Sequence, residues 1–217
     1  MPSRLDFDSD RSVARLDLSP ARSGIFTPGI EAIELTEREV QRFNELAHSL
    51  NEAMPPLSAD QLAGVARRVL RTAAAGGESP FIRSRLRRAA EMREMASDSA
   101  WPLKQTPQRR IRDLLAYLDD PNGLIRDDVP VVGLLDDALL VDIAMDTLRD
   151  ELDHYAEFCR FRRSVSNRGD IAHDGTAFDR ARWERERDDE LRLEQQLRRV
   201  RGSHYATGAI ERVFHVY

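Results

Sequence analysis

An unbroken four-three alternation of apolar residues is the strongest constraint on this chain. Leu134, Ala138, Val141, Met145, Leu148, Leu152, Tyr155 and Cys159 keep that spacing. A heptad seam puts these side chains along one side of a single helix, which can then pack in one partner groove for its whole length. At about 1.5 Å per residue the helix would extend roughly 45 Å. Two arrangements would bury the seam: the centre of a bundle within one chain, or a dimer. Several other amphipathic segments also need a partner surface, which favours the bundle, but periodicity alone leaves both open.

The segments ahead of the seam read as four shorter helices. Thr36 and Glu39 have the spacing of a capping box, in which each side chain satisfies the other's free backbone N–H. Behind them Val40, Phe43, Ala47, Leu50 and Met54 step by three and four, and Pro55-Pro56 is expected to end the helix. Ser58 and Gln61 repeat the capping pattern before Leu62, Val65, Ala66, Val69, Leu70 and Ala73, with Gly76-Gly77 expected to close that face. Ser79-Pro80 opens a third helix through Ile82, Leu86, Ala89 and Ala90, and Thr106-Pro107 a fourth with Ile111, Leu114, Leu115 and Leu118 inward. Pro121-Asn122-Gly123 marks a turn.

The flanks read differently. Residues 1–35 have no helical period and are expected to form a mobile N-terminal arm, and no segment reads as a strand. After Arg163 a polar link, SVSNRGDIAHDG, leads to a charged helix over about 177–201, whose apolar residues Phe178, Trp183, Leu191, Leu193, Leu197 and Val200 form no single stripe. The tail from Ala209 to Tyr217 is apolar and aromatic. The expected organisation is an arm (1–35), a compact helical domain (36–163) and a linker, helix and tail (164–217), all-α throughout.

Charge is segregated along the chain. Residues 62–118 hold twelve basic and five acidic residues, whereas 119–157 hold twelve acidic and two basic ones. Lys104 is the only lysine, so the basic half is built from Arg, which pairs bidentately with carboxylates. Two helical layers with complementary fields are the plainest reading. An anionic partner gripped by Arg67, Arg71, Arg83 and Arg87 is the sharper one. The formal charge of −5 and the lack of interleaved aromatics argue against nucleic acid.

Cys159 is the only cysteine, which excludes an intrachain disulfide and a cysteine zinc cluster and fits a reducing compartment. The most apolar stretch, 129–148, is interrupted by Asp136, Asp137, Asp142 and Asp146, each costly in hydrocarbon. A cytoplasmic protein with no spanning segment is expected, with peripheral contact at the inner membrane face as an added option.

The turn before the long helix carries the most specific pattern. Leu124, Ile125, Asp127, Val129, Pro130, Val131, Val132, Gly133, Leu135, Asp136 and Asp137 resemble the motif of the YkvA family, a bacterial group defined by a domain of unknown function. That motif reads Asp-Leu-Ile-Pro-Asp, then Ile-Pro, two apolar residues and Gly, then an apolar residue before Asp-Asp. Tyr155, Phe158, Cys159 and Arg162 resemble a second signature found in some members. Together they cover about a quarter of the chain. Gly123 stands where the first Asp is usual and Arg126 where Pro is usual, so a site needing that first carboxylate is incomplete, and Arg126 would neutralise Asp127 or Asp128 locally. The resemblance implies a helical fold and, since members are often membrane-associated, contact with a membrane surface. It implies no chemistry.

Two readings of this motif follow from its residues. As a folding device, Pro130 favours an extended Val129, Gly133 permits a sharp change of direction, and Asp136 and Asp137 sit in the first helical turn, where exposed N–H groups favour negative charge. As a metal site, Asp127, Asp136 and Asp137, with Asp128 nearby, would offer hard oxygen ligands to Mg²⁺ or Mn²⁺. Glu45-x-x-His48 and Glu151-x-x-His154 have di-iron spacing, but helical geometry points both pairs away from the apolar faces, so no iron cofactor is expected. The resulting expectation is a non-enzymatic interaction module that takes a protein partner, self-associates through its helical faces, or rests on a membrane. A metal-dependent enzyme and nucleic-acid binding are the alternatives.

Overall fold

The computed structural model describes residues 13–17, 32–73, 79–121, 123–168 and 178–206. Among these described residues six helices follow a small ribbon of two strands: β1 (Val13–Asp17), β2 (Ala32–Thr36), α1 (Glu37–Leu50), α2 (Ala59–Thr72), α3 (Pro80–Ser97), α4 (Gln105–Leu118), α5 (Leu135–Arg168) and α6 (Arg180–Ala206). The all-α class holds. The chain divides into two compact units, Met1–Ala156 and Glu157–Tyr217.

The ribbon departs from the sequence expectation of a structureless arm. β1 and β2 pair antiparallel, Val13 opposite Thr36 and Asp17 opposite Ala32, and β1 lies beside α2. Five-residue strands leave too short a period to register, and pairing depends on a partner some fifteen or more residues away in the chain. The rest of the expected arm, residues 1–12 and 18–31, lies outside the described residues.

Local chemistry sets the first two helices as expected. Thr36 ends β2 and caps α1 in a complete capping box with Glu39, and Ser58 does the same for α2 with Gln61. α1 stops at Leu50, before the two prolines. Asn51 turns the chain instead: its Oδ1 accepts from Ala53 N–H at 3.1 Å and its carbonyl from Met54 N–H at 2.9 Å, a turn in which the Asn side chain replaces the next helical bond. The Asn44 amide then clamps the connection, donating to Leu57 O at 2.9 Å and accepting from Leu57 N–H at 2.8 Å. The glycine pair expected to close α2 lies outside the described residues.

In α3 the buried stripe is Ile82, Ala89, Met92 and Met95, while Ala90 faces solvent, contrary to its expected inward place. α4 begins at Gln105, so Pro107 is its third residue rather than its first. A proline is tolerated there because the first-turn N–H groups have no helical acceptor.

α5 organises the first unit, and its burial is wider than a seam. From Leu135 to Ala144 only Leu139 and Asp142 are not fully buried, so this stretch is enclosed on all sides, as the centre of a bundle within one chain should be. Met145 and Tyr155, which the seam would bury, are half-exposed. Side-chain bonds tie α5 to its neighbours. Thr147 Oγ1 donates to Leu50 O of α1 at 3.0 Å, and the Arg85 guanidinium of α3 meets Asp142 at 2.6 Å. The link between α3 and α4 is anchored by Trp101, 1% exposed, whose indole N–H donates to Glu151 Oε1 at 2.9 Å. Tyr155 packs against that indole at 5.7 Å and donates to Asp98 Oδ2 at 3.1 Å. Of the pairs expected between the basic and acidic stretches, Arg85–Asp142 and the bidentate Arg93–Asp119 pair form; Arg42, which lies outside the basic stretch, meets Asp120. The last two are exposed or half-exposed, so solvent screens them.

The second unit is held by aromatic contacts. α5 runs on to Arg168, five residues beyond its expected end. Phe178, just before α6, stacks on Phe158 at 5.5 Å and on Phe161 at 5.2 Å. Trp183 is buried beneath the Arg187 guanidinium, which also meets Glu157 at 3.5 Å. From Asp188 to Val200 every residue of α6 is exposed. The remainder of the polar link, residues 169–177, and the tail from 207 lie outside the described residues.

Candidate functional site

The turn between α4 and α5 closes on itself through backbone bonds. Val129 N–H donates to Arg126 O, Gly133 N–H to Val129 O, Val132 N–H to Pro130 O at 2.8 Å, and Leu135 N–H to Val132 O. The bond from Val132 to Pro130 spans one residue, Val131, whose φ is +70°. That is a γ-turn of the rare hand, here on a β-branched residue, where it stores strain of roughly 1–3 kcal/mol.

The positive φ sits at Val131, not at Gly133. Gly133 is needed for close approach instead. A Cβ there would overlap the Asp127 carbonyl oxygen and come within 2.7 Å of Asp127 C and Val129 O.

This turn delivers two carboxylates to the start of α5, and they meet different surroundings. Asp136 is 1% exposed. Its Oδ2 accepts from the Tyr117 hydroxyl at 2.8 Å, Leu124 N–H at 2.7 Å and Ile125 N–H at 3.2 Å. Leu124 N–H also points at the Tyr117 oxygen, 2.8 Å away. Three donors on one oxygen lock α4, the 123–125 strand of the turn and α5 together. The other oxygen, Oδ1, is buried and finds no hydrogen-bond partner among the described residues. Burial raises the Asp136 pKa above the usual carboxylate range, and the three donors act against that rise. Burial and the adjoining carboxylate likewise push the Tyr117 hydroxyl well above its ordinary value, so it stays a donor.

Asp137 is 7% exposed and no hydrogen-bond donor among the described residues reaches it. Burial first, then the negative charges of Asp136 and Asp127, push its pKa up to about 8. At neutral pH the pair is therefore asymmetric: Asp136 holds the donors and Asp137 holds a proton. Asp127 is exposed, close enough to act on Asp137. Asp128 is exposed and taken by Arg126 in a bidentate pair at 2.7 and 3.1 Å, one of the two neutralisations expected for that arginine.

Among the expected site residues, Leu124, Ile125, Gly133, Asp136 and Asp137 are thus brought together, with Pro130 in the same turn. The space at Gly123 is narrow as well: a Cβ would lie 2.8 Å from Asp136 Oδ2. A carboxylate at position 123 would press directly on the carboxylate that organises the turn. Among the described residues no three His, Cys, Asp or Glu side chains are grouped to hold a metal ion.

The remaining candidates lie apart. Arg67 and Arg71 are exposed on α2, and Arg83 and Arg87 on α3. Glu45 and His48 line a surface groove of 710 Å³ with Val40, Met54 and Pro56, away from the carboxylates. Glu151 holds Trp101. Cys159 is half-buried, with the Arg162 guanidinium 3.9 Å from its sulfur. A second cleft, of 600 Å³, belongs to the second unit, between Phe161 and Trp183. Neither cleft opens on Asp136 or Asp137. Tyr117 and Trp101 had no periodic or motif signal to reveal them, since both act through partners far along the chain.

Tyr117→Phe removes one donor from Asp136 and one partner from Leu124 N–H while keeping the ring. It is expected to lower stability by about 1–2 kcal/mol in urea unfolding. An unchanged midpoint would show that the hydroxyl does not hold the turn.

No family model matches the chain, and no curated protein or solved structure is similar to it.

Proposed function

We propose that this protein is a non-enzymatic helical binding module whose docking element is the outer half of α6. The observation that supports this is the exposure of Asp188 to Val200 on every side, although the stretch carries Leu191, Leu193, Leu197 and Val200, each about half-exposed. A helical segment of that length gains little from its own hydrogen bonds in water and normally depends on packing. Apolar side chains left out along one helix mark a contact surface.

The carboxylate pair supports the same reading from the other direction. Asp136 and Asp137 have the raised pKa values expected of acid–base groups. Asp136 is nevertheless spent on holding the turn, and the grooves beside Glu45 and between Phe161 and Trp183 are not lined by either aspartate. The geometry is that of a joint that positions α5.

A membrane surface is the second reading. Between residues 191 and 201 four arginines stand against one glutamate beside the apolar residues, a pattern that suits anionic headgroups. No helix among the described residues is long and apolar enough to cross a membrane.

Truncation after Arg187 tests the module reading. Everything beyond it up to Val200 is exposed, so the shortened chain should keep its far-UV signal apart from the lost helix. Retention of partners in a pull-down should fall at least about tenfold. Equal capture by the full and shortened chains would defeat the assignment of α6.

A further inference from the structure

Two of the apolar residues expected on the covered face of α1 are left partly open. Phe43, Ala47 and Leu50 are buried, but Val40 and Met54, at the two ends of the same stripe, are only half-buried. Both line the 710 Å³ groove of the first unit, together with the half-buried Ala59 and the exposed Pro56. An apolar stripe that continues into an open groove is a surface that a partner's apolar side chains can complete.

The groove is already shaped without an occupant. α1 lines one side and the connection from Met54 to Ala59 the other. Asn44, itself a lining residue, bonds both the N–H and the carbonyl of Leu57. The Ser58–Gln61 capping box fixes the start of α2, where Ala59 lies. Walls held in this way lower the ordering cost of binding.

Charge selects the occupant. Glu37 and Glu45 line the groove, with His48 beside them, and among the described residues no arginine or lysine does. Glu45 accepts from the Gln41 amide at 2.8 Å, a neutral partner that leaves its charge uncompensated. Glu37 is exposed, and neither glutamate forms an ion pair among the described residues. The two stand eight residues apart on α1, about 12 Å along the axis. Basic groups two turns apart on a helix laid along α1 would face both, and the apolar residues between them would reach Val40 and Met54. Anionic lipid headgroups and nucleic acid would instead be repelled by the same two carboxylates.

We propose that the groove beside α1 takes a basic amphipathic helix of another protein, its apolar face on Val40 and Met54 and its Lys or Arg side chains on Glu37 and Glu45. This is a second docking surface, and it does not rest on the role of α6.

NMR titration of the full chain, labelled at its methionine methyl groups, tests it with two synthetic peptides. One is an amphipathic helix of Leu and Lys, about four turns long; the other has Glu in place of every Lys. The Lys peptide should shift the Met54 methyl signal saturably and leave those of the buried Met92 and Met95 in place. The Glu peptide should shift nothing. Val40→Asp should abolish the response. Glu37→Lys combined with Glu45→Lys should weaken it at least about tenfold, without loss of helicity because both positions are exposed. A Lys peptide that leaves the Met54 signal unmoved, or that binds the doubly reversed variant as well as the wild type, would overturn the site. Equal binding of the two peptides would overturn the selection by charge. A Met54 signal that moves with protein concentration before any peptide is added would give the groove to a second copy of the chain and overturn the proposed partner.

Discussion

Gly133→Ala is expected to destabilise the fold by about 4 kcal/mol or more, enough to leave much of the protein unfolded if its total stability is in the usual range of about 5–15 kcal/mol. A single methyl group does this because of what it meets. The added Cβ overlaps the Asp127 carbonyl oxygen and lies 2.7 Å from two further backbone atoms. Backbone cannot rotate aside as a flexible side chain would. The turn must open, breaking the Gly133 N–H bond to Val129 O and loosening the joint that delivers Asp136. Gly64 provides the contrast. It lies within α2, and a Cβ there meets nothing within 4 Å, so Gly64→Ala should stabilise by about 0.5–1 kcal/mol through the helix propensity of alanine. Urea unfolding of the two variants should therefore move the midpoint in opposite directions. A small loss at Gly133, comparable to an ordinary surface change, would show that the turn can be repacked and that its close approach is not required.

Asp137→Asn should produce the largest change with pH. Folding raises this pKa from 3.8 to about 8. Between those values the folded chain keeps a proton that the unfolded chain has released. The stabilisation linked to that proton is complete below about pH 4, declines as pH rises, and is gone once pH passes about 8, at a slope approaching 1.4 kcal/mol per pH unit. Asparagine carries no charge at any pH, so its variant lacks this decline. Wild type and variant should be similar near pH 4, and at pH 9 the variant should be more stable by an amount on the order of 5 kcal/mol, that slope taken over about four pH units. The direction is unusual, since removing a carboxylate from the first turn of a helix ordinarily destabilises. Here burial and the neighbouring Asp136 and Asp127 outweigh the helix dipole. Chemical denaturation at a series of pH values decides the matter. Parallel profiles for the two proteins would mean that Asp137 titrates as an ordinary carboxylate and that its burial has no energetic consequence.

The same two aspartates show how far a motif can be read. Their place in the first helical turn was legible, because helix starts are signalled within four residues. Their difference was not, because it comes from Tyr117, nineteen residues before Asp136, and from the backbone N–H groups of Leu124 and Ile125. The glycine at 133 was legible as the place where the chain changes direction, but the close approach to Asp127 and Val129 that requires it was not. Its φ is ordinary and the strain falls on Val131, a residue that no propensity rule would choose for a positive φ.

What this sequence determines by itself is local. The capping boxes at Thr36 and Ser58, the positions of six helices, and the turn before α5 follow from spacings of three and four residues and from the few side chains able to satisfy free N–H groups. Tertiary structure alone decided the rest. It paired β1 with β2, enclosed the front of α5 on every side, and seated Trp101 against Glu151. It also buried two carboxylates and left the leucines of α6 in solvent. Each of these depends on which surfaces meet, and burial is set by neighbours that lie tens of residues away in the chain. A hydrophobic period says that a face needs covering; only the assembled fold says whether anything covers it.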